Sequence, residues 1–261
     1  MKRIISAIVA LIICVPLVYI GGLPFYILAL VLALLGLREF LNLEFKEEYY
    51  VRLISYVSLI IIGGSNIAKK SFDNILDYKV LGLIFLLFCL LALFNYKNKK
   101  FNIIKCFYLL GFTLFLGFSF SVMMITRNIS LNYFIYLFLI TITTDTFAHL
   151  VGSLLGRNKI NKISPNKTYE GAIAGALFGT LISVIYYQIF INPSVNIVLV
   201  SLITLFLSII GQFGDLFFSL IKRNYKIKDF SNIMPGHGGI LDRLDSIIFV
   251  MLAFSYFIMF L

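Results

Sequence analysis

The stretch from 196 to 220 reads N-I-V-L-V-S-L-I-T-L-F-L-S-I-I-G-Q-F-G-D-L-F-F-S-L. It is a continuous apolar run interrupted by one charge, Asp215, and it lacks the period-two alternation of a barrel strand. In hydrocarbon, backbone N–H and C=O groups must be paired within the structure itself, so a run of this kind is read as a helix. The rest of the chain has the same character. Of its 261 residues, 61% are hydrophobic and 13% charged, with a mean hydropathy of +0.99, whereas soluble domains carry about 25% charged residues. The expected fold is an all-α, polytopic transmembrane helix bundle forming one integral membrane domain.

Outward from this run, nine apolar segments can be marked, at 4–20, 24–37, 53–67, 80–94, 106–125, 131–150, 171–191, 196–220 and 246–261. Several fall short of the roughly 20 residues that a span usually needs, and the second and third are the weakest. Gly21, Gly22 and Pro24 predict a tight turn that makes a helical hairpin of the first two. The N-terminal run lacks a small-x-small cleavage pattern and is followed at once by a second apolar run, so it is read as an uncleaved span. Cys14, Cys89 and Cys106 lie in or beside apolar runs and suggest neither a disulfide framework nor a metal knuckle.

Basic loops remain on the cytosolic side. With about nine crossings and the N-terminus inside, the inner set is the N-terminus and the loops within 38–52, 95–105, 157–167 and 222–243. These hold 18 of the 22 Lys and Arg residues, leaving Lys69, Lys70, Lys79 and Arg127 outside. The net charge of +10 therefore concentrates where anionic headgroups and nucleotides are found.

Three polar clusters belong to that face. Asp145, His149, Gly152 and Gly156 share one helix face at i, i+4, i+7 and i+11, and an acid within an apolar helix usually faces a cavity or a partner. The loop R-N-K-I-N-K-I-S-P-N-K-T-Y-E-G (157–171) sets Lys167 beside Ser164 and Thr168 at a helix start, which suits an anion such as phosphate. Gly171, Gly175 and Gly179 then form a small-xxx-small stripe, which reads either as packing within the chain or as a homodimer interface.

The third cluster begins with Asp215, Ser219 and Lys222 on one face. It continues through S-L-I-K-R-N-Y-K-I-K-D-F-S-N-I-M-P-G-H-G-G-I-L-D-R-L-D (219–245). Several carboxylates at one depth repel one another unless a cation joins them. Magnesium does so with one or two protein carboxylates, its remaining positions going to water and substrate phosphates. The turn Pro235–Gly239 lets phosphate approach the backbone closely, although no Gly-Lys-Ser/Thr of a Walker loop follows. Bases, acids and a Gly-rich turn together indicate phosphoryl or nucleotidyl transfer at a membrane surface.

These residues resemble the phosphatidate cytidylyltransferases, or CDP-diacylglycerol synthases. The family pattern is met by Ser219, Lys222, Arg223, Lys228, Asp229, Pro235, His237, Gly238, Gly239, Asp242, Arg243 and Asp245. It is met upstream by the Asp145 helix, by Ser164–Gly171 and by the Gly-Asp-Leu before Ser219, so the likeness covers about 140–246. His149 stands where an aromatic is usual in the family, and Ala174 where Gly is common. The resemblance implies transfer of the cytidylyl group of CTP to phosphatidate, giving CDP-diacylglycerol and pyrophosphate. It also implies Mg2+, with a second cation such as K+ assisting.

Carried onto this chain, Asp215, Asp242, Asp245 and Asp145 are the expected metal ligands, with Asp215, Asp242, Asp245 and Lys222 catalytic. Ser164, Lys167, Thr168, Ser219, Arg223, Lys228, His237, Gly238, Gly239 and Arg243 are the expected substrate contacts. Residues 1–130 become scaffold spans, and 131–261 catalytic spans and loops. The expected setting is a bacterial-type inner membrane with the site facing the cytoplasm. The expected partners are CTP, phosphatidate, the bilayer and a second copy of the chain, but no nucleic acid. The competing readings are a polyprenol kinase or CDP-archaeol synthase and, from another class, a transporter using Asp145 and Asp215 as ion ligands.

Overall fold

A computed structural model describes residues 2–67, 69, 71–72, 77–98, 101–160, 163–234, 236 and 238–261, with side chains of the first helix described from residue 8. Pro235, His237 and four of the counted lysines (70, 99, 100 and 162) lie outside the described residues. Among those described the structure is helical apart from isolated bridges. The helices are α1 (Lys2–Ile20), α2 (Gly22–Glu44), α3 (Tyr49–Gly64), α4 (Tyr78–Phe94) and α5 (Ile103–Ile129), followed by α6 (Leu131–Leu155), α7 (Tyr169–Phe190), α8 (Ile197–Asn224) and α9 (Leu241–Phe257), and the chain closes on a 3-10 turn, Ile258–Phe260.

Six described helices are long and apolar enough to cross a membrane: α2, α5, α6, α7, α8, and α9 with its closing turn. The second segment, weak as read from 24–37, lengthens to 23 residues because Arg38, Glu39 and Asn42 continue the helix beyond the apolar run. By contrast α3 and α4 have 16 and 17 residues. At about 1.5 Å per residue, α8 with its 28 residues exceeds the roughly 30 Å of hydrocarbon. Its charged last turn, Lys222 and Arg223, can therefore project past the apolar layer. The three cysteines are free.

The chain forms two compact units, one of residues 1–129 with 230–240, the other of 130–229 with 241–261. In the first, α5 is the most enclosed candidate span, 78% buried. Its packing relies on aromatic bulk: Phe40 of α2 stacks on Phe112 of α5 with ring centroids 3.5 Å apart, and Phe45 meets Phe101 edge-on. The expected turn between α1 and α2 is a sharp break at Gly21 (φ 70°) and Gly22 (φ 55°). Arg127 crosses it, donating from Nε to Val18 O and from a terminal nitrogen to Tyr19 O at 2.7 Å, so satisfying carbonyls at the end of α1. A Cβ on Gly21 would lie 2.7 Å from that guanidinium.

The second unit is built on small residues. Gly171, Gly175 and Gly179 of α7 face α6, where a Cβ at Gly175 would sit 2.6 Å from Thr144 O and 2.8 Å from Ala148 Cβ. The stripe thus packs within the chain. Hydroxyls bind the helices further, Thr144 Oγ1 with Ser208 Oγ at 2.7 Å and Tyr136 Oη with Thr204 Oγ1 at 2.6 Å. Gln212 Nε2 of α8 donates to Ala172 O of α7 at 3.1 Å. Close backbones and paired polar groups are the means of helix association where lipid removes the hydrophobic drive.

Candidate active site

Within the second unit, the C-terminal half of α6, the loop before α7, the end of α8 and the start of α9 enclose a cavity of about 420 Å³. Its lining includes Asp145 and His149 from α6, Ser164, Lys167 and Thr168 from the loop, Gln212, Asp215 and Lys222 from α8, Asp229, and Asp242, Arg243 and Asp245 from α9. The helical spacings explain the convergence. Asp145 and His149 are one turn apart, as are Asp242 and Asp245, while Asp215 and Lys222 are two turns apart on α8.

The loop is shaped before it meets a ligand. Thr168 caps α7, its hydroxyl oxygen accepting from Gly171 N at 3.2 Å. Glu170, in the first turn of α7, accepts from Asn158 through both the backbone N–H and the side-chain amide. Ile160 N donates to Lys167 O, and Lys167 N to Ser164 O. Gly152 and Gly156 of the α6 face lie against Thr168 and leave it room, since a Cβ on Gly156 would be 2.6 Å from its Cγ2.

Charges in the cavity are arranged in pairs. Lys167 Nζ lies 2.5 Å from Asp215 Oδ2, and Ser219 Oγ donates to the other oxygen of Asp215 at 3.3 Å. Lys222 Nζ bonds Asp242 Oδ1 at 2.7 Å, their side chains being only 11% and 4% exposed. Such a pair is costly to break from one side, because the remaining charge stays buried. Asp245 is buried, with Oδ1 accepting from Ser246 N at 2.8 Å. Asp145, Asp215 and Asp245 lie close enough for their charges to act on one another.

Five carboxylates and three cationic side chains line the cavity. That surplus of negative charge would repel a triphosphate unless a cation entered with it. Among the described residues no group of three or more Asp, Glu, His or Cys side chains forms a ready-made metal cage. Magnesium does not require one, because it binds through one or two carboxylates and the substrate phosphates themselves. Hard oxygen donors at Asp145, Asp215, Asp242 and Asp245 fit that ion and do not suit a soft one.

Other residues named from the sequence lie elsewhere. Arg223 and Lys228 are not among the cavity lining. Arg223 donates to Ile163 O at 3.3 Å and to Ile227 O at 2.9 Å, fastening two loops. Ser219 is hydrogen-bonded to Asp215. Gly238 and Gly239 belong to the first unit, and His237 lies outside the described residues. Asp229, counted in the family pattern but not among the expected site residues, is in the lining, as is Gln212, which sequence reasoning passed over; it also passed over Glu39, an acid 1% exposed within apolar α2. The signal for Gln212 and Glu39 is a polar side chain within an apolar helix, and Glu39 sits beside Arg38 at the edge of the basic 38–52 stretch.

Comparison with known proteins is consistent along the whole chain. A sequence model of the Cytidylyltransferase family matches residues 1–261. A phosphatidate cytidylyltransferase of Staphylococcus haemolyticus is 38% identical over 251 residues, covering 95% of each chain. Proteins of the same name from Staphylococcus epidermidis and Staphylococcus aureus are 37% and 38% identical over the same share of each chain.

Proposed function

We infer the function of this chain from the premise that it belongs to the cytidylyltransferase family. It is a membrane nucleotidyltransferase that transfers the cytidylyl group of CTP to phosphatidate, giving CDP-diacylglycerol and pyrophosphate in phospholipid synthesis. The observation that carries the residue-level reading is the single cavity in which five carboxylates meet three cationic side chains at the ends of apolar helices.

Asp215 and Asp242 would hold Mg2+, with Asp145 and Asp245 in support and a second cation such as K+ assisting. When bound, Mg2+ supplies Lewis-acid polarisation and neutralises phosphate charge. In the reaction, an oxygen of the phosphatidate phosphate bonds to the α-phosphorus of CTP. The bond from that phosphorus to the bridging oxygen of the β-phosphate breaks, and pyrophosphate leaves. The attacking oxygen is already ionised, so no protein nucleophile or general base is needed.

Lys167, Lys222 and Arg243 offer cationic donors to the triphosphate and to the departing pyrophosphate. Lys167 and Lys222 wait on Asp215 and Asp242, poised to turn to phosphate oxygens when these arrive. Ser164 and Thr168 shape the anion-facing loop, and Arg223 positions it through Ile163 O. By the family pattern alone, Gly238, Gly239 and Lys228 would be further phosphate contacts.

Phosphatidate reaches the cavity sideways from the bilayer. This is supported by an apolar groove of about 370 Å³ along α7 and α8 that shares Ile160, Ala172 and Gln212 with the cavity. Nine crossings with the N-terminus inside, supported by the distribution of Lys and Arg, would set the cavity at the cytoplasmic face.

The decisive assay supplies purified protein with phosphatidate, CTP and Mg2+ and follows pyrophosphate and a cytidine-bearing lipid. Both are expected together, with turnover lost on chelation and restored by Mg2+. Product formed from a polyprenol or archaeol-type acceptor but not from phosphatidate would transfer the reading to another CTP-using enzyme. Ion flux in vesicles without nucleotide, and no product, would favour a transporter.

A further inference from the structure

Between α8 and α9 the chain runs through Phe230–Ile240, and this segment packs with α2 in the first unit. Its two ends meet at one atom. Ser231 Oγ donates to Glu39 Oε1 at 2.6 Å, and Ile240 N donates to the same oxygen at 2.8 Å. Ser231 Oγ also accepts from Ile233 N at 3.2 Å, so the serine both closes its own turn and ties it to α2. Phe230 and Ile240 are buried at either side.

Within the loop so formed, Met234 N donates to Gly238 O at 3.0 Å, and Gly236 and Gly238 adopt φ of 80° and 83°, a region that favours glycine. Gly239 is fitted to the same carboxylate, since a Cβ there would lie 2.6 Å from Glu39 Cδ. An acid within an apolar helix is costly, and donors from a segment nearly two hundred residues away help to offset that cost here.

We propose that Glu39 is a positioning residue, its carboxylate clasping Ser231 and Ile240 so that the adjoining Gly238 and Gly239 are held for the nucleotide phosphates. The role in turnover rests on the cytidylyl-transfer reading, whereas the clasp itself does not. Two kinds of measurement on the full-length protein in detergent or nanodiscs separate them. Hydrogen exchange over 231–241 reads the clasp directly, and steady-state kinetics with CTP and phosphatidate read its consequence.

Glu39→Ala is expected to remove exchange protection at Ile240 and across the loop, and to lower kcat/KM for CTP tenfold or more, chiefly through KM. Glu39→Gln keeps an acceptor oxygen at the same place and is expected to restore protection and most of the kinetics. Ser231→Ala removes the side-chain bond to Glu39 and should fall between them; it also carries the test if Glu39→Ala fails to fold. Unchanged exchange in Glu39→Ala or, failing that variant, in Ser231→Ala overturns the clasp. Lost protection with unchanged CTP kinetics overturns the positioning role, as does a Glu39→Gln enzyme that is protected yet as impaired as Glu39→Ala. If the wild-type protein forms no cytidine lipid, the catalytic reading and the kinetic role fail together, while the exchange data still judge the clasp.

Discussion

The two units weight one apolar alphabet differently, although the second also buries Tyr136, Tyr187, Phe218 and Phe254. The first is filled by large side chains, with Phe40 on Phe112 and Phe45 on Phe101, and its buried acid Glu39 serves to hold a loop. The second is drawn together by Gly152, Gly171, Gly175 and Gly179 and by hydroxyl pairs such as Thr144–Ser208, and its acids open onto a cavity. Bulk excludes water and charge by filling space. Small residues bring backbones close, so that helix ends carrying charge can converge. The distinction explains why polar chemistry gathers where the packing residues are smallest.

The sharpest way to break this contrast is at Asp215, which the second unit holds between Lys167 and Ser219. Asp215→Asn is expected to lower kcat by about 10³-fold, the scale of losing one preorganised electrostatic group, while the protein stays folded in the membrane. Cytidine-lipid formation and melting temperature, measured on the same sample, check both halves. Near-normal turnover would remove Asp215 from the chemistry.

Next in size, Lys222→Met removes the cation 2.7 Å from buried Asp242 and should cost about 3 kcal/mol of stability in addition to activity. Denaturation of the variant measures it, and a loss below about 1 kcal/mol would show the site to be wetter than its 4% exposed Asp242 side chain implies.

Two substitutions test the packing itself. Phe112→Ala should cost about 3 kcal/mol in the first unit by leaving a cavity, whereas Gly175→Val should cost about 1–3 kcal/mol in the second by pushing Thr144 and Ala148 away. The latter should also reduce turnover, because α6 carries Asp145 into the cavity. Equal loss of activity in both would blur the contrast.

The smallest effect is expected at Gly82 in α4, where a Cβ meets nothing within 4 Å. Gly82→Ala should be neutral or stabilising by up to about 1 kcal/mol, against a loss at Gly175.

Much of the candidate site was legible because its residues recur at helical spacing within short segments. Asp145 with His149, Asp215 with Lys222, and Asp242 with Asp245 each declared a shared face. The glycine stripe was legible as a packing element, but its partner was not: a surface without a side chain serves a neighbouring copy as well as a neighbouring helix, and only the observed approach to Thr144 and Ala148 assigned it. Arg223 was expected among the substrate contacts from the family pattern, and its guanidinium donates to two carbonyls, a role that no local spacing announces. Glu39 escaped notice because its partners, Ser231 and Ile240, are separated from it by most of the chain. No local pattern encodes such a contact.

Sequence alone thus determined that this chain forms membrane helices, since lipid permits no unpaired backbone and the composition permits no other setting. It also pointed to phosphoryl or nucleotidyl transfer, through acids and bases gathered near the hydrocarbon edge. Tertiary structure decided which acid meets which base, that the small-residue stripe binds α7 to α6, and that a carboxylate of α2 holds the Gly-rich loop. Those outcomes depend on the three-dimensional approach of segments far apart in the chain, and spacing along a helix carries information only about neighbours a turn or two away.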